Sequence, residues 1–597
     1  MLYPVENAIR EIKDLSGVWS FKVDTRSEGY RHSWFASRLN DAMEMPVPAS
    51  YNDITTDRAI RDHIGDVWYE RDFIIPHSWA GKRIVLRVGS ATHHATVWVN
   101  GREAVRHKGG FLPFEADITS YISVGESNRV TLAVNNELDW SCLPSGEIFR
   151  YDDARHPKGF ATQETFFDFY NYAGLHRPVK LYTTPTDYIA DLHVTTDIHG
   201  QNGSIWYDVV THGSPYGVRV KLYDADNTLV AEQNGNCGVL TLPNARFWEP
   251  GDGYLYNLIA EITDASGQEV DQYALPVGIR TVEVCGKQFL INGKPFYFRG
   301  FGKHEDVDIR GKGLDEALNV RDFHLLRWIG ANSFRTSHYP YAEEIMRMAD
   351  RAGLVVIDEV PAVGMCFWSD TNTVFRGDRV NDATLQHHLQ TIREMIARDK
   401  NHPCVVMWSV ANEAATNEPA SLPYFTEVIN TTRALDPTRP VTMVQTMGAE
   451  TDKVSHLLDI ICLNRYCGWY TDHGQLSVIE MQLDLELDAW FRKYAKPMIM
   501  SEYGADTIAG FHQTPSVTFS EDFQREYLAI CHNAFDHHDF VIGEHVWAFA
   551  DFATKQGLNR VGGNKKGIFT RQRQPKSAAY DLKARWTGPH PKWNRNP

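Results

Sequence analysis

The run Val405-Val406-Met407-Trp408-Ser409-Val410-Ala411-Asn412-Glu413 decides how this chain is read. It begins as unbroken apolar, β-branched sequence, the pattern of a strand buried on both faces of a parallel sheet. It stops at an amide and a carboxylate. In a closed barrel of alternating strands and helices the reactive groups collect at the C-terminal ends of the strands, which is where Asn412 and Glu413 fall. A second run has the same form: Lys496-Pro497-Met498-Ile499-Met500-Ser501-Glu502-Tyr503-Gly504 is a short apolar strand that ends at Glu502. One such glutamate is as readily a helix cap or a surface residue as a reactive group. Two of them, each closing a buried strand, point to paired carboxylates in one cleft, the equipment that glycosidic bond cleavage requires.

Outward from these runs, residues 280–597 alternate strands with amphipathic helices. Phe296-Tyr297-Phe298-Arg299-Gly300 leads into Gly302-Lys303-His304-Glu305-Asp306, and Asn332-Ser333-Phe334-Arg335-Thr336-Ser337-His338 into a helix with Pro340 at its first position. Leu354-Val355-Val356-Ile357-Asp358-Glu359 follows, and further strands fall at 441–444, 459–464 and 541–547. Eight strands, each but the last followed by a helix or long loop, predict a C-terminal (β/α)8 TIM barrel. Upstream the pattern is β throughout. Residues 1–184 carry short strands such as Arg83-Ile84-Val85-Leu86-Arg87-Val88 and Thr96-Val97-Trp98-Val99, the latter closing on an Asn100-Gly101 hairpin signal, and predict a jelly-roll β-sandwich. Residues 185–279, with the strictly alternating Val218-Arg219-Val220-Lys221-Leu222-Tyr223, predict an immunoglobulin-like β-sandwich.

Length and composition agree: 597 residues are too many for one core, and the apolar and charged fractions, 43% and 23%, are those of an ordinary globular protein. A net charge of −16 excludes a nucleic acid as the main partner, since no excess of cations exists to displace its counterions. The eight cysteines form no CxxC pair and read as free, mostly buried thiols. The first fifteen residues carry charges every few positions without an apolar core, and no run is long enough to cross a bilayer. The expectation is therefore no signal peptide, no membrane partner and a cytoplasmic location.

Several motifs resemble glycoside hydrolase family 2, and within it the β-glucuronidases. They are Asn412-Glu413, Ser501-Glu502-Tyr503-Gly504, Arg335-Thr336-Ser337-His338-Tyr339-Pro340, Leu463-Asn464-Arg465-Tyr466 with Gly468-Trp469-Tyr470, and Asp168-Phe169-Tyr170-Asn171-Tyr172-Ala173-Gly174. The most diagnostic is Arg560-Val561-Gly562-Gly563-Asn564-Lys565-Lys566-Gly567, with the family's Asn-x-Lys element. The resemblance implies a retaining mechanism with Glu413 as general acid/base and Glu502 as nucleophile; no cofactor is expected, and no HExxH-type spacing supplies a metal site. It implies that Tyr466 bonds the nucleophile, that Asn412 and Asn464 lie at the sugar, and that Asn564 and Lys566, with Arg560 and Tyr470, receive a uronate carboxylate. It also implies that Asp168 reaches across from the first domain.

His304 and His338 each end a barrel strand and are read as sugar-hydroxyl contacts; Trp547, ending the last strand, either stacks on the sugar or caps the barrel. A neutral hexose is expected to leave Lys566 unpaired and so to be rejected by several kcal/mol. The expected partner is a small-molecule or glycan β-glucuronide, and the resemblance implies a homo-oligomer, a tetramer. Two rivals stand beside this reading: a β-galacturonidase of the same family, and a carbohydrate-binding protein with an inactive barrel. Two departures are visible. Ala414 and Ala415 stand where the family commonly has a proline, and the 365–382 loop, with Phe367 and Trp368, lies where family members vary at the aglycone side. Asp536-His537-His538-Asp539 reads as a solvated loop.

Overall fold

The computed structural model describes residues 1–214, 217–366 and 373–593; Phe367 and Trp368 lie outside the described residues. Its eight parallel strands close into a barrel. They are β1 (Phe298–Gly302), β2 (Ser333–Arg335), β3 (Val355–Glu359), β4 (Val405–Asn412), β5 (Val441–Gln445), β6 (Ile461–Asn464), β7 (Met498–Glu502) and β8 (Val541–Trp547). Every residue of β4 is buried, as its continuous apolar sequence requires of a strand covered on both faces. The surrounding helices are α1 (Glu316–Ile329), α2 (Glu343–Ala352), α3 (Asp382–Asp399), α4 (Ser421–Leu435), α5 (Ile479–Tyr494), α6 (Glu521–His537) and α7 (Ser577–Thr587). Their ends follow local chemistry: Asp315 accepts from the Leu318 N–H at the start of α1, and Gly330, at φ 84°, closes it in the left-handed conformation that glycine adopts freely.

Three sequence expectations about the barrel need correcting. Helix α2 starts at Glu343 with Ala342 as its N-cap, so Pro340 belongs to the preceding loop and not to the first turn. The last strand is followed by a helix after all, α7, whose Arg585 pairs with Asp536 and Glu544 to tie it to α6 and β8. The Asp536–Asp539 stretch is not a free loop: Asp536 and His537 end α6, and buried His538 bonds Asp484 on α5.

The N-terminal jelly-roll sandwich packs a four-stranded sheet against a six-stranded one. Asn100 and Gly101 join His94–Val99 to Arg102–Lys108, both at positive φ (51° and 79°), as the tight two-residue turn demands. The immunoglobulin-like sandwich pairs a three-stranded with a four-stranded sheet, and Val218, Val220 and Leu222 turn inward as their alternation predicts. Its fully buried Trp248 donates its indole N–H to the Asp350 carbonyl at the end of α2, docking it on the barrel. The jelly roll is tied to the barrel by Arg87, which pairs with Glu343 at 2.7 Å, and by Arg177, which donates to the Pro340 carbonyl.

Candidate active site

Most barrel strands end on a side chain of the cleft. Arg335 closes β2, Glu359 β3, Asn412 β4, Asn464 β6, Glu502 β7 and Trp547 β8. Register slips between β4 and β5 near Asn412, and between β6 and β7 at Asn464, interrupt the ladder just where these groups emerge. Such irregularities re-aim side chains at a strand end. Glu413 then takes a left-handed backbone at φ 54°, a conformation a non-glycine residue adopts at a cost of about 1–3 kcal/mol and which clusters at functional sites.

The two glutamates meet, and their surroundings differ. Glu502 is held on both oxygens: the Arg335 guanidinium donates to Oε1 at 2.5 Å and the Tyr466 hydroxyl to Oε2 at 2.7 Å. Among the described residues no cation contacts Glu413, which accepts from Asn464 Nδ2 at 2.7 Å. Burial first, then the neighbouring Glu502 charge, pushes the Glu413 carboxyl up to about 7. Asn464 is itself locked, because its Oδ1 accepts from the Ser501 hydroxyl at 2.9 Å and its Nδ2 must therefore face Glu413 and the Asn412 oxygen.

Behind Glu502 stands a layer that the sequence reading did not single out. Fully buried Arg335 also donates to both oxygens of buried Glu359, at 2.8 and 2.9 Å. Glu359 accepts from Ser409 at 2.7 Å and lies 3.1 Å from His338 Nδ1. Burial alone would raise Glu359; the Arg335 charge and the His338 contact hold it below the usual carboxylate range. Part of the signal was present in the sequence: Glu359 is separated by one residue from the apolar run Leu354–Ile357, whereas Arg335 follows the mixed Asn332-Ser333-Phe334.

A second cluster adjoins the first through Tyr466 and Tyr470, whose rings meet edge to face at 5.0 Å. Buried Lys566 donates to the Tyr470 hydroxyl at 2.8 Å and to Asp506 at 2.5 Å. Arg560 donates to both oxygens of Asp168 at 2.8 and 3.0 Å, to Asp506 at 3.3 Å and to Tyr470 at 2.6 Å. Asn564 donates to Asp168 at 2.8 Å. Burial would raise the Asp168 carboxyl, but Arg560, helped by Asn564 and Lys566, holds it below its ordinary value. Asp168 thus carries the first domain into the barrel loops. Asp506 is the member the sequence reading missed, and it changes one expectation. Lys566 already has a carboxylate partner, so a neutral sugar does not leave it unpaired, and the argument for rejecting one by several kcal/mol on that ground fails.

The remaining residues assigned from sequence also gather here. His338 Nε2 lies 3.8 Å from Glu502 Oε1, and its ring is 5.0 Å from that of Trp547. His304 packs 5.3 Å from Trp547 and bonds Tyr339. Among the described residues, two groups with the donor types of a cation site lie away from the cleft. In one, buried Asp350 is already taken by His402 Nδ1 at 2.5 Å and the Cys404 N–H at 3.0 Å. The other, Glu480, Asp484 and His537, sits on the outer surface of α5 and α6.

Family models match along the chain: the glycosyl hydrolases family 2 sugar binding domain over residues 12–185, a second model described as glycosyl hydrolases family 2 over 187–280, and the family 2 TIM barrel domain over 282–590. The chain belongs to glycosyl hydrolase family 2. Among members of this family, a beta-glucuronidase of Paenibacillus borealis is 58% identical over 586 residues, covering 98% of both chains. The Homo sapiens beta-glucuronidase is 49% identical over 609 residues, 98% of this chain and 92% of its own. A solved beta-D-glucuronidase of Dictyoglomus thermophilum superposes with a TM-score of 0.95 at 51% identity over 99% of each chain. The Ruminococcus gnavus β-glucuronidase in complex with D-glucaro-d-lactam gives 0.93 at 42% identity, over 98% of this chain and 99% of that one. Glycoside hydrolase chemistry and the jelly-roll, immunoglobulin-like and TIM-barrel architecture are those of the family.

Proposed function

We propose that this chain is a retaining, exo-acting β-glucuronidase, which hydrolyses β-D-glucuronides to D-glucuronate and an alcohol through a covalent glycosyl-enzyme intermediate. One observation carries the reading: two adjacent carboxyl groups are set to opposite tasks, Glu413 raised to about 7 and Glu502 gripped on both oxygens by Arg335 and Tyr466. Glu502 attacks the anomeric carbon as the carboxylate while protonated Glu413 gives its proton to the leaving oxygen. Water then enters, and Glu413, now a base, takes its proton as the ester to Glu502 breaks. Arg335 and Tyr466 fix the attacking oxygens before the reaction, so no reorganisation is needed at the transition state.

Asn412 Oδ1 is occupied by Asn464 and, at 3.5 Å, by Arg335, which leaves its amide N–H groups for the sugar 2-hydroxyl, where bonding tightens as the oxocarbenium ion develops. Lys566, Asn564, Arg560 and Tyr470 take the C6 carboxylate, with Lys566 shared between it and Asp506. Relatives named β-glucuronidase over nearly the whole chain support the substrate class. A homo-oligomeric, tetrameric state is proposed on the family resemblance alone.

The test is hydrolysis of p-nitrophenyl β-D-glucuronide beside the galacturonide and the glucoside, with the first-formed sugar followed by proton NMR. The reading expects the glucuronide to be the best substrate and the β-anomer to appear first. A preference for the galacturonide, or initial release of the α-anomer, contradicts it.

A further inference from the structure

Beneath the cleft runs a chain of polar groups that the mechanism above does not use. Lys312, on the connection between β1 and α1, is buried, and its only hydrogen-bond partner through Nζ among the described residues is the Tyr339 hydroxyl. Its ammonium lies 3.8 Å from the centre of the Tyr339 ring and 4.6 Å from that of Phe169. On the far side, the same hydroxyl lies 2.9 Å from His304 Nδ1. His304 Nε2 is buried and has no partner among the described residues, and the ring sits among Phe169, His338, Trp547 and Phe552.

Hydrogen counting fixes the directions. An ammonium only donates, so the Tyr339 oxygen accepts from Lys312. The Glu305 backbone N–H takes the oxygen's other lone pair, so the single phenolic proton goes to His304 Nδ1, and a neutral imidazole with its lone pair engaged at Nδ1 carries its proton on Nε2. Burial, reinforced by Lys312, holds His304 well below its ordinary value, so the ring is neutral. We propose that Lys312, acting through Tyr339, is a positioning residue that fixes the His304 proton on Nε2 and makes His304 a hydrogen-bond donor to a hydroxyl oxygen of the bound sugar. The substrate half of this inference rests on the glycosidase reading; the tautomer half does not. The Nε2 N–H, which has no protein partner among the described residues, is satisfied by the sugar, so the contact favours binding a hydroxyl over a deoxy position.

The lock is sensitive to the charge on Lys312. Burial pulls its ammonium down to about 7, against the pull of Asp306 and Glu305 and with Arg177 adding to the decrease; His304, His93 and His176 are the other titratable groups around it. Once neutral, the amine can accept from Tyr339, and the chain can reverse to leave the His304 proton on Nδ1.

The full-length protein labelled with 15N in histidine, studied without substrate by long-range 1H–15N correlation near pH 6, reads the tautomer directly, with His304→Gln assigning the signal. The proposal expects Nε2–H in the native protein. In Lys312→Met it expects loss of that tautomer's exclusive population, together with a fall in kcat/KM of about 10- to 100-fold; Lys312→Arg should keep Nε2–H. Tyr339→Phe breaks the same chain at its middle and serves if Lys312→Met fails to fold. A native His304 protonated on Nδ1, or a tautomer unchanged in both variants, overturns the proposal. Native kcat/KM in Lys312→Met alongside a changed tautomer overturns its substrate half. A protein inactive on every uronide but with the expected spectra would instead sink the glycosidase reading.

Discussion

Glu413 and Glu502 stand at the ends of barrel strands, whereas Lys566, Asn564 and Arg560 lie on the loop after the last strand and are held in part by Asp168 of another domain. The two regions also balance charge differently. Around the acids the balance is uneven: Arg335 serves Glu502 and Glu359, and no cation among the described residues touches Glu413. In the loop cluster two cations meet two carboxylates, Lys566 and Arg560 against Asp506 and Asp168. On the proposed reading, chemistry belongs to the strand ends and substrate choice to a loop layer whose charges are paired with one another.

That division is broken or sharpened by substitution. The largest effect is expected at the strand ends: Glu502→Gln should cost about a thousandfold or more in kcat with every uronide, because it removes the attacking group itself. Lys566→Ala should follow, with kcat/KM for the glucuronide falling by about 10²–10³-fold and that for the matching glucoside by much less. Equal losses would mean that the loop cluster does not read the carboxylate. Removing a competitor should act in reverse. Asp506→Asn leaves Lys566 with one anion fewer, and a glucuronate-like inhibitor should bind it several-fold more tightly by calorimetry, on the order of 1 kcal/mol. Weaker binding would show that Asp506 orients Lys566 more than it competes for it.

The smallest expected effect is on stability. Glu413 is raised in the folded protein to about 7, above its ordinary value, so its favourable protonated state is present at low pH and is lost as pH rises through 7. Glu413→Gln should therefore raise the melting temperature more at pH 8 than at pH 5. The same titration gives kcat/KM a descending limb near pH 7 in the native enzyme, since the proton donor is lost there.

Legibility in the sequence followed the same boundary. The strands that carry the acids could be found because burial on both faces forces continuous apolar runs, and a polar residue ending such a run is conspicuous. Glu359 gives a weaker form of that signal, one residue removed from its apolar run, while Arg335 follows Asn332-Ser333-Phe334 and is marked only by its motif. Asp506 gave none: it lies past the end of β7, in a loop, and its importance comes from Lys566 and Arg560, which fold onto it from about sixty residues away. Loop positions carry no periodicity, so which cation pairs with which acid is decided by tertiary packing. The same limit explains the start of α2, where Pro340 suited a first turn by type while the chain spends two further residues crossing beneath Arg177 before the helix begins. Likewise, nothing in the spacing of Lys312, Tyr339 and His304 shows that they form a line.

The central claim is that Glu502 is the group that bonds to the sugar. A 2-deoxy-2-fluoro glucuronyl fluoride slows breakdown of such an intermediate, and peptide mass spectrometry after brief incubation then locates the label. The account predicts one sugar per chain, attached at Glu502 and absent from Glu502→Gln. A label on Glu413 or elsewhere, or turnover of the reagent with no adduct formed at any stage, would contradict it.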